Sequence, residues 1–239
     1  MVEHGYADNN GVKIHYVSLG EGPIVLFVHG FPDFWYTWHK QMLSLSKNYK
    51  TVAVDLRGYN LSDSPKDVEN YLFKQLVGDL KAVINNISER PVYLVAHDWG
   101  AAISWKFAIE YPELIKKLII ISVPHPKAGS KNTIIPIEDR KPSYGNTFVS
   151  DEFRAQLTEE WPSGWVKDDD AKPIYIEAFK RSDKDAMINY YKANFLTLEN
   201  LKKEGIINRN QNLSNVKIPV LIVHVKNDKY LPVSGHNNT

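Results

Sequence analysis

Val92-Tyr93-Leu94-Val95-Ala96-His97-Asp98-Trp99-Gly100-Ala101-Ala102 is the stretch from which the rest of the chain can be read. Its first half is an apolar, largely β-branched run of the kind that forms a strand buried on both faces. Its second half opens a helix of small residues, expected from Ala101 to about Tyr111. Between them lies a four-residue corner with Asp98 at its tip and Ala96 and Gly100 two places to either side. Strand and helix backbones pass close at such a corner, so larger flanking side chains would collide. Two readings of Asp98 stand here. It caps the helix, a position Asp favours, or it is a nucleophile presented at a sharp strand-to-helix elbow, aspartate where G-x-S-x-G carries serine.

Outward from this corner the chain alternates strand and helix. Residues 3–19 predict a β-hairpin turning at Asp8-Asn9-Asn10-Gly11, because Asn-Gly supplies the positive φ values that hairpins need. After the break at Gly20-Glu21-Gly22-Pro23, Ile24 to Val28 is a continuous apolar strand ending in His29-Gly30-Phe31-Pro32. A helix is expected from Phe34 to Ser46, a strand from Lys50 to Leu56, and a loop over Arg57-Gly58-Tyr59-Asn60-Leu61-Ser62-Asp63. Tyr71 to Ile87 carries Leu72, Leu76, Leu80, Val83, Ile84 and Ile87 at helical spacing. Lys116 to Ser122 and Val216 to Val225 read as further buried strands. Such alternation implies a mostly parallel sheet with helices on both faces. In such sheets the ligand site lies beyond the carboxyl ends of the strands. His29, Arg57, Asp98 and His125 all follow strand ends, which places them on one rim and favours the nucleophile reading of Asp98.

Residues 127–214 lack strand-like runs and are rich in aromatics, including Tyr144, Phe148, Phe153, Trp161, Trp165, Tyr175, Phe179, Tyr190 and Tyr191. They read as a helical lid, with a helix from Asp185 to Phe195. The expected organisation is a core over 1–126, the lid over 127–214 and a return to the core over 215–239.

Lys plus Arg number 29 and Asp plus Glu 28, a net charge of +1 with no segregated block. That argues against an electrostatic nucleic-acid binder. Absence of cysteine rules out disulfides and thiol nucleophiles. The polar N-terminus has no signal-peptide core, and the apolar runs are too short to span a bilayer. The composition therefore predicts a cytoplasmic protein. No His/Asp/Glu cluster has ligand spacing and no nucleotide fingerprint occurs, so neither metal nor cofactor is expected.

The four motifs together resemble the α/β-hydrolase fold, in its epoxide hydrolase branch, with haloalkane dehalogenases as near relatives. His29-Gly30-Phe31-Pro32 is similar to the H-G-x-P oxyanion loop. Arg57 to Asp63 is similar to R-G-Y-G-x-S-D, with Asn60 for glycine. Ala96-His97-Asp98-Trp99-Gly100 is similar to G-H-D-W-G, with Ala96 for glycine. Asp228 stands where the family keeps its triad acid. The resemblance implies that Asp98 attacks an epoxide carbon to form an alkyl-enzyme ester, with Phe31 and Trp99 N–H groups as oxyanion hole. It also implies that Tyr144 (in Arg140-Lys141-Pro142-Ser143-Tyr144) and Tyr191 (in Asn189-Tyr190-Tyr191-Lys192) protonate the departing alkoxide, where ordinary lid packing is the alternative. His29, Pro32 and His125 are expected around the substrate pocket. The implied partner is a small apolar epoxide; a haloalkane is the alternative, with the Trp99 indole N–H as halide donor.

The family's histidine follows the acid by a further strand and helix, whereas the sequence stops eleven residues after Asp228. The expectation is a truncated member lacking its last strand, with impaired turnover and self-association through an exposed sheet edge. His236 is the one histidine after Asp228. A non-catalytic remnant that keeps the pocket is the third reading.

Overall fold

Asn10 and Gly11 take φ values of 54° and 87°, so β1 (Glu3–Asn9) folds back on β2 (Val12–Leu19) with Asn9 opposite Val12. This is the two-residue turn that Asn-Gly favours. In the computed structural model, which describes residues 2–126, 147–194 and 215–228, the hairpin forms one side of a seven-stranded sheet. Its order is β1-β2-β4-β3-β5-β6-β7. The remaining strands are β3 (Ile24–Val28), β4 (Lys50–Val54), β5 (Val92–His97), β6 (Ile115–Ile121) and β7 (Val220–Val223). From β4 to β7 every pairing is parallel, and only the β1–β2 and β2–β4 pairings are antiparallel. The mostly parallel α/β-hydrolase sheet is therefore what the chain adopts.

Alternation along β3 shows why its run is wholly apolar. Leu26 and Val28 pack on one face with Leu80, Val83 and Ile103, while Val25 and Phe27 pack on the other with Trp38 and Met42. Helices α2 (Phe73–Ile87) and α3 (Trp99–Glu110) cover the first face. Helix α1 (His39–Leu45), entered through a 3-10 turn over Trp35–Trp38, covers the second. The expected single helix from Phe34 is thus two pieces, its leading N–H (Trp35) donating to Asp55 Oδ1 at 2.9 Å.

Two expectations about burial fail. Leu72, assigned to the core stripe of α2, is 42% exposed, because the helix begins one residue later and Leu72 is its extended N-cap. Val216–Val225 was expected as a buried strand. Only Val220–Val223 is strand, it ends the sheet order, and Leu221 and Val223 are 57% and 47% exposed. His224 consequently follows β7 and is half-buried, outside the core.

The described part of the aromatic segment, 147–194, is helical: α4 (Asp151–Gln156), a 3-10 turn at Trp161–Gly164, α5 (Lys172–Arg181) and α6 (Lys184–Asn194). Ser150 caps α4 through its side chain, accepting from Phe153 N. The layer lies over the carboxyl ends of β3 and β5, where Phe31 meets Phe148, Phe153, Trp161 and Tyr191 at ring separations of 5.6–6.1 Å. No helix among the described residues is long and apolar enough to cross a membrane.

Candidate active site

Asp98 closes β5 and opens α3 with φ 51° and ψ −124°, a sparsely populated conformation for a non-glycine residue. Its side chain makes no bond to an N–H deeper in the first turn of its helix, the bond that a simple cap would make. Instead Oδ1 accepts the Phe31 N–H at 2.7 Å, and the Trp99 N–H also bonds the carboxylate. The neighbouring glycines explain how two chains come this close. A Cβ on Gly30 would fall on the Asp98 side chain, and one on Gly100 would fall on the carbonyl oxygens of His29 and Val28. Gly100 is thus the close-approach residue of the corner. Ala96, fully buried, fits beside it without loss.

Burial holds the Asp98 carboxyl above the ordinary carboxylate range, and the charge of Asp228 pushes it further up; His97 and the Trp99 and Phe31 N–H groups oppose both. The structure therefore brings Asp228 within electrostatic reach of Asp98. A raised carboxyl that ionises is a better nucleophile, and the Phe31 N–H points at Oδ1, the oxygen that an ester carbonyl would keep if Oδ2 attacked.

The other expected residues sort by what they touch. Tyr191 is buried with its ring 5.1 Å from Trp99, 5.7 Å from Phe31 and 4.7 Å from Phe148. Trp99 also meets Tyr190 at 5.4 Å. Pro32, after a cis Phe31–Pro32 bond, lines a shallow crease with Asp33, Phe34, Pro162, Tyr175 and Phe179. His125 is buried with its ring edge-on to Trp105 at 4.9 Å. Tyr144 and His236 lie outside the described residues.

His29 has both ring nitrogens on backbone. Nε2 accepts from Leu56 N at 2.9 Å, so Nδ1 carries the proton and donates to Gly30 O at 2.8 Å. Burial lowers it to about 4, keeping it neutral. It fastens the ends of β3 and β4 together and supports the loop from behind. Arg57, placed on the rim by its sequence position, turns inward. It is 1% exposed and forks onto Asp79 of α2 through Nε (2.6 Å) and Nη2 (2.5 Å).

Three groups went unseen in the sequence. Asp33, directly after the oxyanion-loop proline, is half-buried and raised to about 6, chiefly by burial of its carboxyl and also by the Asp98 charge. His97 and hydrogen bonds from Tyr175 and Thr37 pull the other way. A carboxyl adjoining a loop at strand ends was the available signal. His15 and Asp55 form a fully buried pair at 2.6 Å, extended by His4 at 2.8 Å. Asn60 joins that pair to α5. Asn60 and Asp55 share one loop, but His15 and Arg181 lie far from them in sequence.

With this geometry in place, comparison with known proteins is direct. The alpha/beta hydrolase fold family matches residues 23–238. Epoxide hydrolase 3 of Siraitia grosvenorii is 34% identical over 241 residues, 83% of this chain and 75% of that protein. Epoxide hydrolase 1 of Caenorhabditis elegans is 45% identical over 122 residues, 50% of this chain, and the match spans only 30% of the nematode protein. The crystal structure of Bacillus megaterium epoxide hydrolase in complex with an inhibitor superposes with a TM-score of 0.82 at 32% identity, covering 98% of this chain and 87% of that one. The chain belongs to the α/β-hydrolase fold family, in its epoxide hydrolase branch.

Proposed function

We propose that the protein opens small apolar epoxides through a covalent ester on Asp98. The observation that carries the reading is the half-buried Asp98 carboxylate, gripped by the Phe31 and Trp99 N–H groups at a φ of 51° and flanked by aromatic side chains. Because Oδ1 is already held by Phe31, Oδ2 is the attacking atom. It forms a C–O bond to an epoxide carbon as the ring C–O bond breaks, and the electron pair stays on the ring oxygen. The phenol of Tyr191 gives that oxygen its proton, with Tyr144 as the second donor; a phenol near pKa 10 is a reasonable acid for an alkoxide. Oδ1 becomes the ester carbonyl oxygen without leaving the Phe31 N–H. Addition of water to that carbonyl then builds oxyanion charge beside this donor and the neighbouring Trp99 N–H, a site where one lost donor typically costs about 10²–10³ in rate. Collapse releases a diol and restores the carboxylate. Addition of water also needs a base to take its proton; Asp228 would orient that base, which is not among the described residues. The aromatic roof of residues 147–194 acts as the lid that excludes bulk solvent and selects apolar substrates.

The test is to offer the protein a small aryl epoxide and, separately, a chloroalkane of similar size. Epoxide consumed to ester or diol is the expected result. Halide release with the epoxide untouched would make it a dehalogenase, and inertness toward both from a folded sample would make it a non-catalytic binding module.

A further inference from the structure

Asn60 stands where the resembling loop motif has glycine, and its backbone still adopts the conformation that favours glycine, φ 46°. Asn tolerates that region better than most residues, but its side chain is not idle. Nδ2 donates to Asp55 Oδ2 at 2.8 Å, and Oδ1 accepts from Arg181 Nε at 2.8 Å. Its backbone N–H donates to Ser182 Oγ at 2.7 Å. Glycine could make the last of these bonds and neither of the first two.

Both ends of this bridge are anchored. Asp55 is fully buried. It is held by His15 at 2.6 Å and receives Trp35 N–H at 2.9 Å, so it is fixed to β2 and to the turn before α1. Arg181 and Ser182 form the joint between α5 and α6. The same joint is docked on the same loop by Asp183 N–H donating to Gly58 O at 2.9 Å and by the Lys66–Asp183 ion pair at 2.5 Å. About two turns further along α6, Tyr190 OH donates to Arg57 O at 2.9 Å. The next residue is Tyr191, whose ring covers Trp99 and Phe31.

We infer that Asn60 is a positioning residue, a clasp from core Asp55 to lid Arg181 that sets the angle of the α5–α6 joint and thereby the seat of Tyr191 over Asp98. This rests on the proposed role of Asp98 and Tyr191. It differs from a general packing contribution because the bridge is specific to one side-chain amide, whose carbonyl faces the lid and whose amino group faces the core. Neither bond bears on the strands that hold Asp98, so the nucleophile and its N–H donors stay in place when the clasp is cut.

Asn60→Gly is the primary variant, since glycine suits the backbone at φ 46°. Arg181→Met cuts the other bond, and Arg181→Lys keeps a donor. Single-turnover ester formation on Asp98 is followed by intact mass across epoxide concentrations, beside hydrogen exchange of the whole chain. Asn60→Gly and Arg181→Met are each expected to lower the limiting rate about tenfold, with the half-saturating concentration changed less than threefold. The double variant should be no slower than either, and Arg181→Lys should stay within about threefold of the parent. Exchange should quicken in 172–191 and stay unchanged in β3 and β5. A limiting rate for Asn60→Gly within twofold of the parent, multiplicative effects in the double variant, or exchange quickened equally across the sheet would each overturn the inference. If the parent protein forms neither ester nor diol, the reading of Asp98 fails. The exchange data then decide the clasp alone: non-additive quickening confined to 172–191 supports it, and its absence refutes it.

Discussion

Replacing Asp33 by Asn should stabilise the protein at neutral pH and leave it unchanged in acid. Asp33 is half-buried, and its carboxyl is pushed up to about 6 against 3.8 for an ordinary aspartate, mainly because burial penalises the charge. A folded-state value above the unfolded one means the folded protein binds the proton more tightly. Stability from this group is therefore complete below about pH 3.8 and is lost as pH rises through 6. At about 1.4 kcal/mol per tenfold change in proton affinity, the loss by pH 7.5 is about 3 kcal/mol. Asn keeps an acceptor for Tyr175 or Thr37 and removes the charge. The variant should match the parent at pH 4 and exceed it at pH 7.5 by up to about 3 kcal/mol, on the order of 8 °C in Tm for a chain of this size. Urea unfolding of both proteins at pH 4, 5, 6 and 7.5 measures this. A variant equally or less stable at pH 7.5, or a difference that does not grow between pH 4 and 7.5, would refute the reasoning.

Gly100→Ala should cost about 1–3 kcal/mol by overpacking, because its Cβ meets backbone oxygen atoms of β3 and the loop, whereas Gly164→Ala, with nothing within 4 Å, should be near neutral; thermal unfolding compares them. Arg57→Met should cost about 3–5 kcal/mol by leaving Asp79 charged and buried without its partner, and adding Asp79→Leu should restore part of that in the same melts. Ester formation on Asp98 should rise with pH as the raised carboxyl ionises and level off above its pKa, read from single-turnover rates between pH 4 and 9; a rate that falls over the acid half of this range would contradict the nucleophile assignment.

What the sequence disclosed and what it withheld follow from the range of the interactions. The corner at Asp98 was legible because its requirements are local: a β-branched run, small flanks and a helix start within eleven residues. The Asn10-Gly11 turn was legible for the same reason. Arg57 was misplaced on the rim because its partner Asp79 lies on another element, and an arginine after a strand end looks the same whether it faces ligand or a buried carboxylate. Val220–Val223 read as buried because apolar composition does not distinguish a strand covered on both sides from one at the end of the sheet order. Asp33 was silent because its burial comes from Tyr175 and the helical layer, well over a hundred residues away in sequence. Asn60 was noticed only as a tolerated exception to glycine, since its bond to Arg181 exists only once the helical layer is docked.

The most direct test of the account is the intact mass of the protein after brief incubation with a small aryl epoxide, beside the same experiment on Asp98→Asn. The account predicts one added epoxide mass per chain, mapping to the peptide that carries Asp98, lasting or giving way to diol, and neither adduct nor diol in the variant. An adduct or diol formed equally by Asp98→Asn, or neither product from folded parent protein, would contradict it.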